Sequence, residues 1–238
     1  MLNACSEPPL RDSAGISPDF AQTVQGKHYT FGRADRQCNR IAALMAAEST
    51  STTDALEEDP RPDGLRSAKS LVLVNTGNGK GKSSAAFGVM LRALAVDWPV
   101  AVMQFVKSGE WKVGEEKMGR QLGVDWLSFG DGFTWDSENL DDDKAHADAG
   151  WRAAKALIMA GRHRLVILDE LTYLCTWGWI DQADVIATIA GRPEQVNVIV
   201  TGRDAPAELV AIADTVTEMT EVKHAYQQGI RAKRGIDY

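Results

Sequence analysis

Cysteine is scarce. Cys5, Cys38 and Cys175 are far apart and form no C-x-x-C pair, which leaves neither a disulfide framework nor a zinc site and suits a reducing compartment. The four histidines, His28, His146, His163 and His224, are scattered, so no metal cluster is visible. No apolar run reaches membrane-spanning length, and the first residues lack the basic-then-apolar order of a signal peptide. Together these features predict a cytoplasmic protein with no membrane partner. Excess positive charge is also missing: the net charge of −7 argues against a general nucleic-acid binder, which needs a basic face. No internal repeat is evident. Apolar residues, at 44 % of 238, suffice for a sizeable core.

Residues 1–68 read differently from the rest. Pro8-Pro9, Ser17-Pro18, the run Ser49-Thr50-Ser51-Thr52-Thr53 and Pro60-Arg61-Pro62 are linker signals. The expectation is a largely disordered extension carrying one short helix at 36–48, with Ile41, Leu44 and Met45 on one face. Residues 69–238 read as one folded domain of alternating strands and helices.

That domain is organised around LVLVNTGNGKGKSS, residues 71–84. Leu71-Val72-Leu73-Val74 reads as a buried strand. Gly77, Asn78, Gly79, Lys80 and Gly81 make a glycine loop, and Lys82, Ser83 and Ser84 lead into an Ala-rich helix. Strand, glycine loop, Lys-Ser and helix is the order of a P-loop. Glycines let backbone N–H groups turn toward phosphate oxygens, the helix N-terminus adds partial positive charge, and Lys82 adds a full one. The Ser83 hydroxyl suits Mg²⁺. The pattern G-x-x-x-x-G-K-[ST] would put its first glycine where Thr76 stands; here it comes one residue late, and Lys80 adds a second cation.

Further apolar runs at 100–106, 124–129, 165–168 and 196–200, with a last short one at 216–219, alternate with helical patterns. This alternation predicts an α/β, P-loop NTPase-like (RecA-like) fold with a mostly parallel sheet and helices on both faces. Ligands in such sheets sit at the carboxyl ends of the strands. Asp169-Glu170 and Thr201-Gly202-Arg203 follow two of the apolar runs, so both should meet the P-loop. Asp169 and Glu170 read as Mg²⁺ ligands of a Walker B element, the alternative being a helix cap. Arg203 reads equally as a phosphate partner or a surface ion pair. Phe133 and Trp135 lie in a loop with Gly130 and Gly132, as in a lid or stacking platform, whereas Trp126 reads as core and Trp177 as a plug pinning its loop. No base for a nucleophilic hydroxyl stands out. The residues alone support a Mg²⁺–nucleotide binder more firmly than phosphoryl transfer. A P-loop kinase or ATPase of another kind is one alternative.

The blocks Thr76 to Ser83, Ala85-Ala86-Phe87-Gly88, Gln104-Phe105, Gly132-Phe133-Thr134-Trp135, Leu168 to Tyr173, Thr201-Gly202-Arg203 and Gly235-Ile236-Asp237-Tyr238 occur in unbroken order. They resemble the bacterial P-loop corrinoid adenosyltransferases, which act on cob(I)yrinic acid a,c-diamide or cob(I)alamin. The resemblance implies that the 5′-deoxyadenosyl group of ATP moves to Co(I) of a corrinoid (cobyrinic acid diamide, cobinamide or cobalamin) and that triphosphate leaves. It implies ATP lying in the loop in the reverse sense to ordinary P-loop enzymes, which accounts for the late glycine. It also implies Mg²⁺, or Mn²⁺ in its place, on Ser83 and Glu170, and a nucleotide contact from Arg92. Phe133 and Trp135 correspond to apolar residues set against the lower face of the corrin ring. Electrons for Co(I) come, in relatives, from reduced flavin or a flavoprotein, and relatives are homodimers. A non-catalytic, ATP-dependent corrinoid binder is the other alternative.

Overall fold

The computed structural model describes residues 63–106, 114–129 and 140–237. The helix expected at 36–48 and the loop carrying Phe133 and Trp135 lie outside the described residues. From Gly64 onward the described chain belongs to one compact unit.

Six strands, β1 (Val72–Thr76), β2 (Val100–Phe105), β3 (Asp125–Phe129), β4 (Leu165–Asp169), β5 (Asn197–Thr201) and β6 (Thr215–Glu218), form a sheet in the order β3-β2-β4-β5-β1-β6. Every pairing is parallel, as the βαβ alternation predicts. Every residue of the inner strands β2 and β4 is buried, whereas every residue of the edge strand β6 is exposed. This explains why the inner strands are near-continuous apolar runs: helices cover both of their faces.

Alternate residues supply two cores. Leu165 and Ile167 of β4 join Val100, Val102 and Ile199 beneath Phe87 and Met90 of α1 (Lys82–Leu94). Val166 and Leu168 join Val198 and Val200 on the opposite face, beneath Trp151, Ala154 and Ile158 of α3 (Leu140–Ala160). Burying an aliphatic side chain of this size contributes ~2 kcal/mol before conformational entropy is counted. Between these two helices comes α2 (Gly114–Gln121), packed by Gly119 onto the ring of Trp126, which is core as expected.

Asp181 caps α5 (Gln182–Ala190) through the Ala183 N–H. Asp184, in the first turn of α5, accepts from Lys155 at 2.5 Å and from Trp151 Nε1 at 2.9 Å. Those two bonds, Lys155 first, hold its carboxyl below the usual carboxylate range and tie α3 to α5. Pro206 precedes α6 (Ala207–Ile212).

Two features depart from expectation. A short helix, α4 (Leu171–Thr176), follows β4 directly. Six residues are too few to show helical periodicity in the sequence. Its spacing sends Leu171, Leu174 and Cys175 into the core and places Tyr173 and Trp177, four residues apart, on the opposite side. Trp177 is therefore no plug: it is 40 % exposed and stacks on Tyr173, with ring centroids 5.3 Å apart. Trp179 packs against the core in its place.

Candidate active site

In the order β4-β5-β1, the P-loop after β1 stands two strands from the end of β4, roughly 10 Å away, with β5 between them. The carboxyl ends of these strands surround a cavity of about 260 Å³. Asn78, Gly79, Lys80 and Gly81 line it from the loop, Lys82, Ser83 and Ser84 from the first turn of α1, Glu170 from the end of β4 and Arg203 from the end of β5. The expected meeting of the three segments is thus present.

The loop is shaped by close approach as well as by any anion. The Gly79 N–H donates to Met219 O at 2.6 Å, and Met219 N–H donates to Thr76 O at 2.8 Å. A Cβ on Gly77 would lie 2.5 Å from Met219 O, and one on Gly79 would lie 2.7 Å from Thr220 O. Gly77 also takes φ +92°, which side chains resist. The late glycine therefore sits where the backbone after β6 crosses the loop. Gly81, at φ +113°, ends the loop, and Lys82 is the first residue of α1. Gly81 has no side chain with which to cap that helix, which leaves its first-turn N–H groups facing the cavity end of the loop.

Lys82 folds back over the loop, its Nζ donating to Gly79 O at 2.7 Å and Gly77 O at 2.9 Å. Burial foremost, and then the Arg203 guanidinium, lower its pKa, while Glu170 and Asp169 oppose them. Two cations held close together in this way form a favourable setting for a polyanion.

The adjacent carboxylates of Asp169 and Glu170 are placed differently. Asp169 is fully buried under the cavity floor. Its Oδ2 accepts from Gln104 Nε2 at 2.9 Å and its Oδ1 from Thr201 Oγ1 at 2.7 Å. Glu170 takes the left-handed conformation, φ 64° and ψ 19°, and its N–H donates to Thr201 Oγ1 at 2.9 Å. That turn of the backbone puts Glu170 on the cavity wall. Ser83 and Glu170 thus offer the cavity a hydroxyl and a carboxylate, hard oxygen donors of the kind Mg²⁺ takes together with phosphate oxygens and water. Among the described residues no three His, Cys, Asp or Glu side chains cluster as a ready-made metal site.

Arg92 is not brought to this cavity. It is exposed in the last turn of α1, about 15 Å along the helix from Lys82. The cavity has further walls that sequence reasoning missed: Glu115, Tyr173, Glu221, His224 and Asp237. Of these, only Tyr173 and Asp237 stand inside the sequence blocks that carry the family resemblance. Gln104 carried one readable signal, a polar residue near the end of an otherwise apolar strand. Beside the cavity, Phe87, Met90, Leu91, Met118, Leu122 and Ile236 line an apolar groove of about 440 Å³. The two share Ser84, Phe87 and Glu115. A polar, charged cavity thus adjoins an apolar one. No described helix is long and apolar enough to cross a membrane.

Comparison with known proteins agrees with this arrangement. Residues 68–238 match the family model described as ATP:corrinoid adenosyltransferase BtuR/CobO/CobP. The chain is 42 % identical over 175 residues to the corrinoid adenosyltransferase of Pseudomonas aeruginosa, covering 73 % of this chain and 86 % of that one. It is 38 % identical over 180 residues to the corrinoid adenosyltransferase of Escherichia coli, covering 76 % and 91 %. The figures are the same for the Salmonella typhimurium protein named corrinoid adenosyltransferase CobA. With a glycine loop between β1 and α1 and a match running through all six strands, the chain belongs to the ATP:corrinoid adenosyltransferase family.

Proposed function

We propose that the cavity holds the triphosphate of ATP and that the enzyme passes the 5′-deoxyadenosyl group to Co(I) of a corrinoid. The observation that carries this reading is the convergence of Lys82, Ser83, Glu170 and Arg203 on one cavity in a chain of this family. Cobalt forms a bond to the ribose 5′ carbon, the 5′ C–O bond breaks, and its electron pair leaves with triphosphate. Co(I) is itself the nucleophile, so no side chain need remove a proton, in keeping with the absence of an obvious base.

The protein's part is alignment and neutralisation of the leaving group. In this reading the N–H groups of the loop other than that of Gly79, which is held by Met219 O, and those of the first turn of α1 surround the phosphates with Lys80, Lys82 and Arg203. Asn78 and Ser84 complete the lining. Ser83 and Glu170 hold Mg²⁺, which adds charge neutralisation when bound. Asp169, with both carboxylate oxygens engaged, sets the floor and acts through Thr201. Arg92 is assigned to the adenosine end of the nucleotide, beyond the phosphate cavity. Phe133 and Trp135 are assigned to the corrinoid. The resemblance further supports reduced flavin or a flavoprotein as electron donor, a homodimeric state and a cytoplasmic location.

The test is incubation of the full-length protein with MgATP and chemically reduced cob(I)alamin. The expected outcome is the spectrum of alkylated cobalt with one triphosphate released per cobalt–carbon bond. ADP, a phosphorylated acceptor or no turnover would refute the reading. Lys82→Ala should lose ~2–4 kcal/mol of transition-state stabilisation while remaining folded. Near-normal turnover in that variant would remove Lys82 from the site.

A further inference from the structure

The block Gly235-Ile236-Asp237 has no part in the chemistry above, yet its last two residues each reach one of the two cavities. Ile236 lines the apolar groove and Asp237 the phosphate cavity. The Asp237 carboxylate is ion-paired with Lys80 Nζ. It also accepts the Lys233 N–H at 2.7 Å, within a turn closed by Asp237 N–H to Lys233 O at 2.8 Å. The Lys233 N–H and then Lys80 hold this carboxyl below the usual carboxylate range, so it is charged at neutral pH.

This arrangement is odd for a site that receives a polyanion. Lys80, Lys82 and Arg203 share the cavity wall with Glu115, Glu170, Glu221 and Asp237, so carboxylates outnumber the Lys and Arg cations. One of those cations is already occupied. Asp237 has a second partner within its own turn, so Lys80 can leave it without stranding a bare carboxylate. Lys80 lies on the exposed rim, where the exchange of one anion for another needs no rearrangement of the core.

We propose that Asp237 is a positioning residue that competes with the nucleotide's phosphates for Lys80. It holds the lysine when the cavity is empty and takes it back from the triphosphate product, so that a highly charged leaving group can dissociate. This inference rests on the reading of the cavity as a triphosphate site.

The experiment is calorimetric titration of the full-length protein with inorganic tripolyphosphate and Mg²⁺, run beside product-inhibition kinetics. Asp237→Asn should bind tripolyphosphate roughly two- to fivefold tighter, the range expected for releasing one partly exposed ion pair. Product inhibition should tighten by the same factor, and Asp237→Glu should return both to the wild-type value. Deleting any carboxylate near an anion strengthens binding through the general field, so the deciding comparison is made without Lys80. In a Lys80→Gln background Asp237→Asn should tighten binding by the smaller general-field contribution alone. Equal tightening with and without Lys80, or no tightening with Lys80 present, would overturn the proposal. Failure of the underlying reading looks different: wild-type protein would then not bind tripolyphosphate at all, and Lys82→Ala would leave the titration unchanged.

Discussion

The hydroxyl of Thr201 at the end of β5 donates to Asp169 Oδ1 at the end of β4, 2.7 Å away, with both residues fully buried. The same oxygen accepts the Glu170 N–H at 2.9 Å. One hydroxyl therefore fixes the buried carboxylate and the left-handed turn that carries the cavity carboxylate.

Thr201→Val, close to isosteric, should test this link. Losing a hydrogen bond to a buried charged group should cost about 1.5–3 kcal/mol of stability, read by urea denaturation. If Thr201 positions Glu170, kcat should also fall and the Mg²⁺ dependence should shift to higher concentration, with Thr201→Ser restoring both. A variant that is less stable but has unchanged kcat and metal dependence would confine Thr201 to a structural role.

The glycines supply a paired test. Gly77→Ala places a methyl 2.5 Å from Met219 O at φ +92°, so backbone must shift. Strain at such a position costs on the order of 1–3 kcal/mol, and nucleotide binding should weaken as the loop is displaced. Gly88→Ala, within α1, meets nothing within 4 Å and should instead raise stability by about 0.5–1 kcal/mol. Thermal denaturation of the two variants should move in opposite directions. Equal tolerance would show that the loop does not need its approach to Met219.

Why the architecture could be read from the chain, and the division of labour at the site could not, follows from the range of the interactions involved. The inner strands β2 and β4 are buried throughout, so their apolar runs advertise them locally, and the P-loop is a contiguous string between a strand and a helix. Asp169 and Glu170, by contrast, are neighbours with similar side chains. Their separate fates depend on Gln104 from β2, Thr201 from β5 and one backbone torsion. The walls formed by Glu221, His224 and Asp237 come from an irregular segment after β6, where no periodicity marks which residues turn inward.

Cys175 gives a test of the core under α4. Burial pushes its thiol up to about 11 from an ordinary 9.0. The thiolate fraction at pH 8 should be about a hundredfold lower than in the unfolded chain, so iodoacetamide should modify Cys175 in urea and spare it in the folded protein. The sign for stability follows: between pH 9 and 11 the unfolded chain ionises first, so this group makes folding stability fall as pH rises through that window. Peptide mapping after alkylation reads the first effect. Rapid labelling of Cys175 in folded protein would show that α4 opens readily.

The last prediction separates the cobalt chemistry from substrate binding. Phe133 and Trp135 lie outside the described residues, and their role is inferred from the family resemblance. An axial ligand donates electron density to cobalt and makes reduction of Co(II) to Co(I) harder. Apolar rings against the lower face of the corrin would remove that ligand and keep water from its place. The double variant Phe133→Ala, Trp135→Ala should therefore be impaired when adenosylation starts from Co(II) with a flavin reductant. It should be affected much less when Co(I) is supplied ready-made by a strong chemical reductant. ATP binding alone, measured by calorimetry, should hardly change, because the cavity proposed for the phosphates is lined chiefly by the loop after β1, the start of α1, the ends of β4 and β5 and the segment after β6. An equal loss in both cobalt assays would assign the rings to general corrinoid binding or loop packing, and ligand displacement would have to come from elsewhere in the protein.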